Sequence, residues 1–86
     1  MKLSEVVDFA TNHDRFNEFL EQSNIDPDSV HQLTAKITNV TANTIEHRIF
    51  FDFGNAGEST KDVRVIVDLD KNTRDFKFIQ IDHPTR

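Results

Sequence analysis

The sequence predicts an α+β domain: an N-terminal helix packed on one face of a four-stranded antiparallel meander sheet, order 1-2-3-4. Three observations carry that expectation. Apolar residues recur at intervals of three and four from Val6 to Leu20, which is helical spacing. From Asn43 to Phe53 the pattern changes to alternation. Ile45, Ile49, Phe51 and Phe53 fall on one side, and Thr44, Glu46, Arg48 and Asp52 on the other, as in a half-buried strand. Shorter runs with strand character follow at close intervals, and sequential antiparallel neighbours are the commonest connection. A sheet with one apolar face and a helix with one apolar stripe bury each other.

The 86 residues make one small domain over 1–86, with room for one core. The helix is expected over 5–22. Ser4 offers a cap, Val6, Phe9, Ala10, Phe16, Phe19 and Leu20 form the stripe, and Ser23-Asn24 is a polar stop. Asp26 before Pro27 has the form of a cap with proline at the first helical position, so a short turn or helix is expected over 27–31. Strand one is placed at 33–41, with Leu33, Ala35 and Ile37 on one side. Asn39 also falls on that side, and the pattern weakens there. Ala42-Asn43-Thr44 reads as a hairpin loop, and strand two is placed at 44–53. Both glycines lie in G-N-A-G-E-S-T, a surface loop. Strand three, 62–70, turns Val63, Val65, Val67 and Leu69 inward. After a tight connection, strand four, 75–82, starts with Phe76 and Phe78 inward. His83-Pro84 ends it, because proline cannot donate to a ladder.

These loops set a register. It pairs Ile37 with Ile49, Ile49 with Val67, Val67 with Phe78 and Leu69 with Phe76. The outer face then gives a row Arg48–Asp68–Lys77 and sets Asp52 beside Arg64. A slip of one residue would turn every side chain to the wrong face.

Composition narrows function more by exclusion than by indication. Ten basic residues against fifteen acidic give a net charge of −5, which disfavours direct nucleic-acid binding, since phosphate contacts need clustered Lys and Arg. There is no cysteine, hence no disulfide, thiolate metal site or thiol nucleophile. No apolar run reaches the roughly 18 residues that span a bilayer. The opening M-K-L-S-E-V-V-D lacks the apolar run of a signal peptide, and the expected location is the cytoplasm. No phosphate-cradling loop, nucleophile elbow or dinucleotide fingerprint occurs, so the reading is non-enzymatic, without cofactor, catalytic residue or metal site.

Three features remain as candidates. On the outer face Phe50, Ile66 and Ile79 form an apolar row with Ile81 beside it, flanked by Arg48 and Lys77. One helix covers one face only, and a contiguous apolar patch marks an interface. The strand-four edge is apolar on both sides and open to pairing. The expected function is a small acidic protein–protein interaction domain, a homodimer or a docking surface for another protein. Two alternatives stand against the exposed row: a β-bulge near Phe78 or Ile79 that turns Ile79 and Ile81 inward, or a C-terminal tail folded over the patch. The second feature is an acidic strip, Asp14, Glu18 and Glu21 along the helix with Asp26 and Asp28 after it. It suits an antagonist that occupies a nucleic-acid-binding protein, and equally the solvated face of an amphipathic helix. The third is a polar site of His13, His47 and Asn39, with His47 on the core face and Asn39 as its cross-strand neighbour. It suits a small ligand or metal, and equally a buried histidine satisfied by Asn39 or a carbonyl.

Overall fold

The computed structural model describes residues 2–54 and 61–84. Helices α1 (Leu3–Thr11) and α2 (Asp14–Gln22) lead into a 3-10 turn (Pro27–Ser29). Four strands follow: β1 (Val30–Val40), β2 (Thr44–Phe53), β3 (Lys61–Asp70) and β4 (Phe76–Asp82). The sheet is antiparallel throughout with order β1-β2-β3-β4. The α+β meander with helices against the sheet is therefore as the sequence predicts. Beyond Gly54, the glycine loop expected over 54–60 lies outside the described residues. No described helix is long and apolar enough to cross a membrane.

The helical segment is two helices, where the spacing predicts one. Thr11 Oγ1 donates to the Val7 carbonyl at 2.9 Å and Asn12 Nδ2 to the Asp8 carbonyl at 2.8 Å. Such side chains compete with the helical ladder. His13 is extended at ψ 141°, and its Nδ1 accepts from the Arg15 amide at 3.1 Å, which starts a new helix. The break reorients the chain. Val6 and Ala10 are the buried pair of α1, Phe16 and Leu20 that of α2. At ~100° per residue the four would share an arc of roughly 120° even on an unbroken helix, and in the two helices both pairs join the same core. Ser4 lies inside α1, and Lys2 occupies the cap position without a side-chain bond.

At its far end α2 closes with a Schellman motif. Asn24 is left-handed at φ 57°, its amide donates to Glu21, and the Ile25 amide donates to Leu20 at 2.9 Å. Ile25 and Leu20 both enter the core. The Asp26 side chain accepts from the Asp28 amide at 2.9 Å, the cap expected before Pro27.

Inward parity on β2 and β3 is odd, as predicted: Ile49, Phe51, Phe53, Val63, Val65 and Val67 are core residues beneath Val6, Ala10, Phe16 and Leu20. The pairing partners differ by two positions. Ile49 faces Val65, where Val67 is predicted, because β2 and β3 pair along their whole length, from Thr44 with Asp70 to Phe53 with Lys61. The longer ladder leaves fewer backbone groups to find other partners. Ile37 faces His47, where Ile49 is predicted. One position of that shift comes from the hairpin, which pairs Val40 with Ile45, and the other from a bulge. The register shifts between Ile37 and Asn39, so Thr38 is an extra residue that reverses the alternation beyond it. Val40 then pairs with Ile45 and Asn39 with Glu46. The hairpin loop is Thr41 to Asn43, with the Thr41 hydroxyl accepting from the Thr44 amide at 2.9 Å.

A second bulge lies in β4. Val67 pairs with Phe78 and Ile66 with Gln80, which leaves Ile79 as the extra residue. Ile81 consequently faces Val65 and packs against the core, and Asp82 faces Arg64 on the outer side. The connection before β4 is an Asx turn. Asp70 Oδ1 accepts from the Asn72 and Thr73 amides at 2.8 and 3.0 Å, and Arg74 is left-handed at φ 66°.

Candidate functional site

The predicted outer-face row is not assembled. Phe50 pairs with Thr34 and Arg64, and Ile66 sits between Arg48 and Gln80. Ile66 is 8% exposed, Ile79 37% exposed, and Ile81 points the other way. The β4 bulge is the alternative that the alternation left open, and it acts on Ile81 while Ile79 stays at the surface. Phe50 is half-buried with the Lys36 ammonium 5.3 Å above its ring. Arg48 does not join Asp68 and Lys77 in a row. Its Nε donates to Glu46 at 3.2 Å, and Asp68 lies between Glu46 of β2 and Lys77 of β4. Arg64 is likewise not beside Asp52. It grips Asp82 with both Nε and Nη2, and Gln80 donates to the same carboxylate at 2.7 Å. These bonds hold the Asp82 carboxyl below its ordinary range, Arg64 first among the causes.

Asp52 instead lies directly across from Asp62, a like-charge pair of the kind that weakens a sheet. Its Oδ1 is buried without a hydrogen-bond partner. Both residues line a shallow cavity of about 230 Å³ with Phe50 and Pro84. The C-terminal segment thus reaches the corner of the outer face. His83 ties it down: its Nδ1 lies 2.9 Å from the Asp62 carbonyl and its Nε2 3.3 Å from Ser23 Oγ.

The three polar candidates are dispersed. His13 stacks on Phe78 with ring centroids 4.5 Å apart and caps α2. His47 is separated from Phe78 by Val67, two strand spacings or about 10 Å away. Asn39 is exposed and faces Glu46, because the Thr38 bulge turns it off the His47 side. His47 itself is 1% exposed and its Nδ1 has no partner. Neither Asn39 nor a carbonyl satisfies it. Among the described residues no group of three or more His, Cys, Asp or Glu side chains could hold a metal ion. Asp14, Glu18, Glu21, Asp26 and Asp28 are all exposed, and Asp26 is engaged as a cap.

The sheet edge at β1 is the feature that the alternation alone does not reveal. Leu33, Ala35 and Ile37 are on the inner side as predicted, opposite Phe51, Ile49 and His47. Yet no residue of β1 is among the described buried core. Leu33 is 40%, Ile37 55%, Val30 42% and Val40 57% exposed. Nine-residue helices reach about 14 Å, whereas eleven strand residues extend about 36 Å. The helices pack their buried side chains against the rings and valines of β2 and β3 and against Phe78 of β4. The chain matches no protein-family model, no curated protein and no solved structure.

Proposed function

We propose that this is a non-catalytic interaction domain that self-associates by pairing two β1 edges across a twofold axis. The observation that carries the reading is the long edge strand with four exposed aliphatic side chains, Val30, Leu33, Ile37 and Val40. An uncovered edge presents unpaired amides and carbonyls to another strand, and strand addition is a recurrent binding mode. A second copy fits this edge because the strand is close to palindromic about Ala35. Antiparallel pairing centred there sets Leu33 opposite the partner's Ile37 and Ala35 opposite Ala35. Lys36 meets Thr34, so no like charges oppose each other. β1 contains no acidic residue in a chain of net charge −5, and the strand therefore escapes the self-repulsion of the rest of the surface. The bulges at its two ends confine regular pairing to the segment between them.

The test is the mass in solution. Light scattering at high micromolar concentration should give twice the chain mass for the wild type. Leu33→Lys and Ile37→Lys should each give the single-chain mass with unchanged circular dichroism. Ile79→Lys, on the other edge, should leave the dimer intact. A wild type of single-chain mass, or a dimer lost with Ile79 and kept with Leu33, would overturn the reading.

A further inference from the structure

A second cavity of about 230 Å³ opens where α1 begins, beside the end of the sheet at which β2 starts and β3 finishes. Its walls are aliphatic, formed by Leu3, Ile37, Ile45 and Leu69, and its polar groups are His47, Lys2 and Arg74. Three independent features converge there. His47 is almost wholly buried, with Nδ1 lacking a hydrogen-bond partner, and a buried nitrogen left in that condition is costly. The two cations have no carboxylate partner among the described ion pairs, which are Arg48 with Glu46 and Arg64 with Asp82. The helix α1 starts without a side-chain cap, so its first amides and the positive end of its dipole face the same region.

We propose that this cavity binds a small organic monoanion, an apolar monocarboxylate, with its hydrocarbon part against Leu3, Ile37, Ile45 and Leu69 and its carboxylate toward His47, Lys2 and Arg74. The site shares Ile37 with the β1 edge proposed above, but its polar groups His47, Lys2 and Arg74 all lie outside β1. The chemistry follows from the lining. An inorganic phosphate would satisfy the cations but leave four aliphatic walls against water. A neutral hydrocarbon would leave Nδ1 unbonded and both cations without a counter-charge. A carboxylate with a short tail answers all three. The volume equals that of about eight waters at ~30 Å³ each, which suits a ligand of roughly eight non-hydrogen atoms such as hexanoate.

The test is a nuclear magnetic resonance titration of the full chain with hexanoate, with hexanol and inorganic phosphate in parallel. Hexanoate should give saturable shifts at Leu3, Ile37, Ile45, Leu69 and the His47 ring. Hexanol should bind roughly tenfold more weakly, having no charge for the cations or the helix end. Arg74→Gln, at an exposed turn position, should weaken hexanoate about three- to fivefold and leave hexanol unchanged. The proposal fails if hexanoate gives no saturable shift at millimolar concentration, if its shifts map elsewhere, or if hexanol or phosphate binds there as tightly.

Discussion

Arg64 and Asp82 face each other on neighbouring strands, and Gln80 completes the shell of the carboxylate. Asp70 is held in the same direction by the backbone amides of Thr73 and Asn72 in its turn. Both carboxyls therefore bind a proton less readily in the folded chain than in the unfolded one. The sign of the linkage follows: the unfolded state takes up more protons in acid, so stability falls as pH falls. The contribution is complete above the unfolded value of about 3.9 and is lost as pH drops through the lower folded values. Urea midpoints should decline steadily below about pH 4, and Asp82→Asn should make that decline shallower. Equal slopes for the two proteins would show that Asp82 is not a linked group. Nothing in the order of residues marks Asp82 for this role. A period-two reading of β4 gives Arg64 a different neighbour, and the true pair exists because one extra residue precedes it.

That extra residue, Ile79, is an element-scale device. By inserting one position opposite Ile66 and Val67, it lets β4 keep Phe76 and Phe78 inward at one end and Ile81 inward at the other. Strict alternation would put Ile81 outside, because it lies three residues beyond Phe78. The consequence is an asymmetry between two isoleucines two apart. Ile81→Asp should destabilise by about 2–4 kcal/mol, since it puts a charge against the core. Ile79→Asp should stay within about 0.5 kcal/mol as a surface change. Chemical denaturation of the two variants reads the difference, and matching losses would mean that the bulge is misplaced. Thr38 works similarly in β1. The weak point of the β1 pattern, Asn39 on an apolar side, is the trace that this bulge leaves in the sequence, and it shows that something interrupts the period without showing where. The break at Asn12 and His13 leaves an equally faint trace. The whole stripe from Val6 to Leu20 fits an unbroken helix, and only the extended backbone at His13 shows that it is built from two pieces.

At the scale of the whole molecule, parity was legible and coverage was not. Which side chains of β2 and β3 face inward follows from alternation alone, and a two-residue change of partner preserves it. How far the helices reach across the sheet depends on where they break and how they lie, and no short-range pattern encodes that. The candidate surfaces divide along the same line. The outer-face row was drawn from a register that two bulges and a longer ladder redistribute. The β1 edge appears only once the helices are known to build their core on the other three strands. His47 was legible as an inward-facing histidine, whereas the neighbourhood of Lys2 and Arg74 is brought together from opposite ends of the chain.

A strand that gives no buried side chain to the interior is held mainly by its ladder to β2. Its attachment can therefore open without melting the rest, as a separate cooperative unit of low free energy. In native-state hydrogen exchange at concentrations where the chain is monomeric, amides of β1 bonded to β2 should exchange through an opening that is nearly independent of denaturant. Amides shared by β2 and β3 should exchange only through global unfolding. A single common opening energy for both ladders would mean that the sheet has no such seam. If the seam exists, the strand with the most surface to offer a second copy is also the one that the fold releases first.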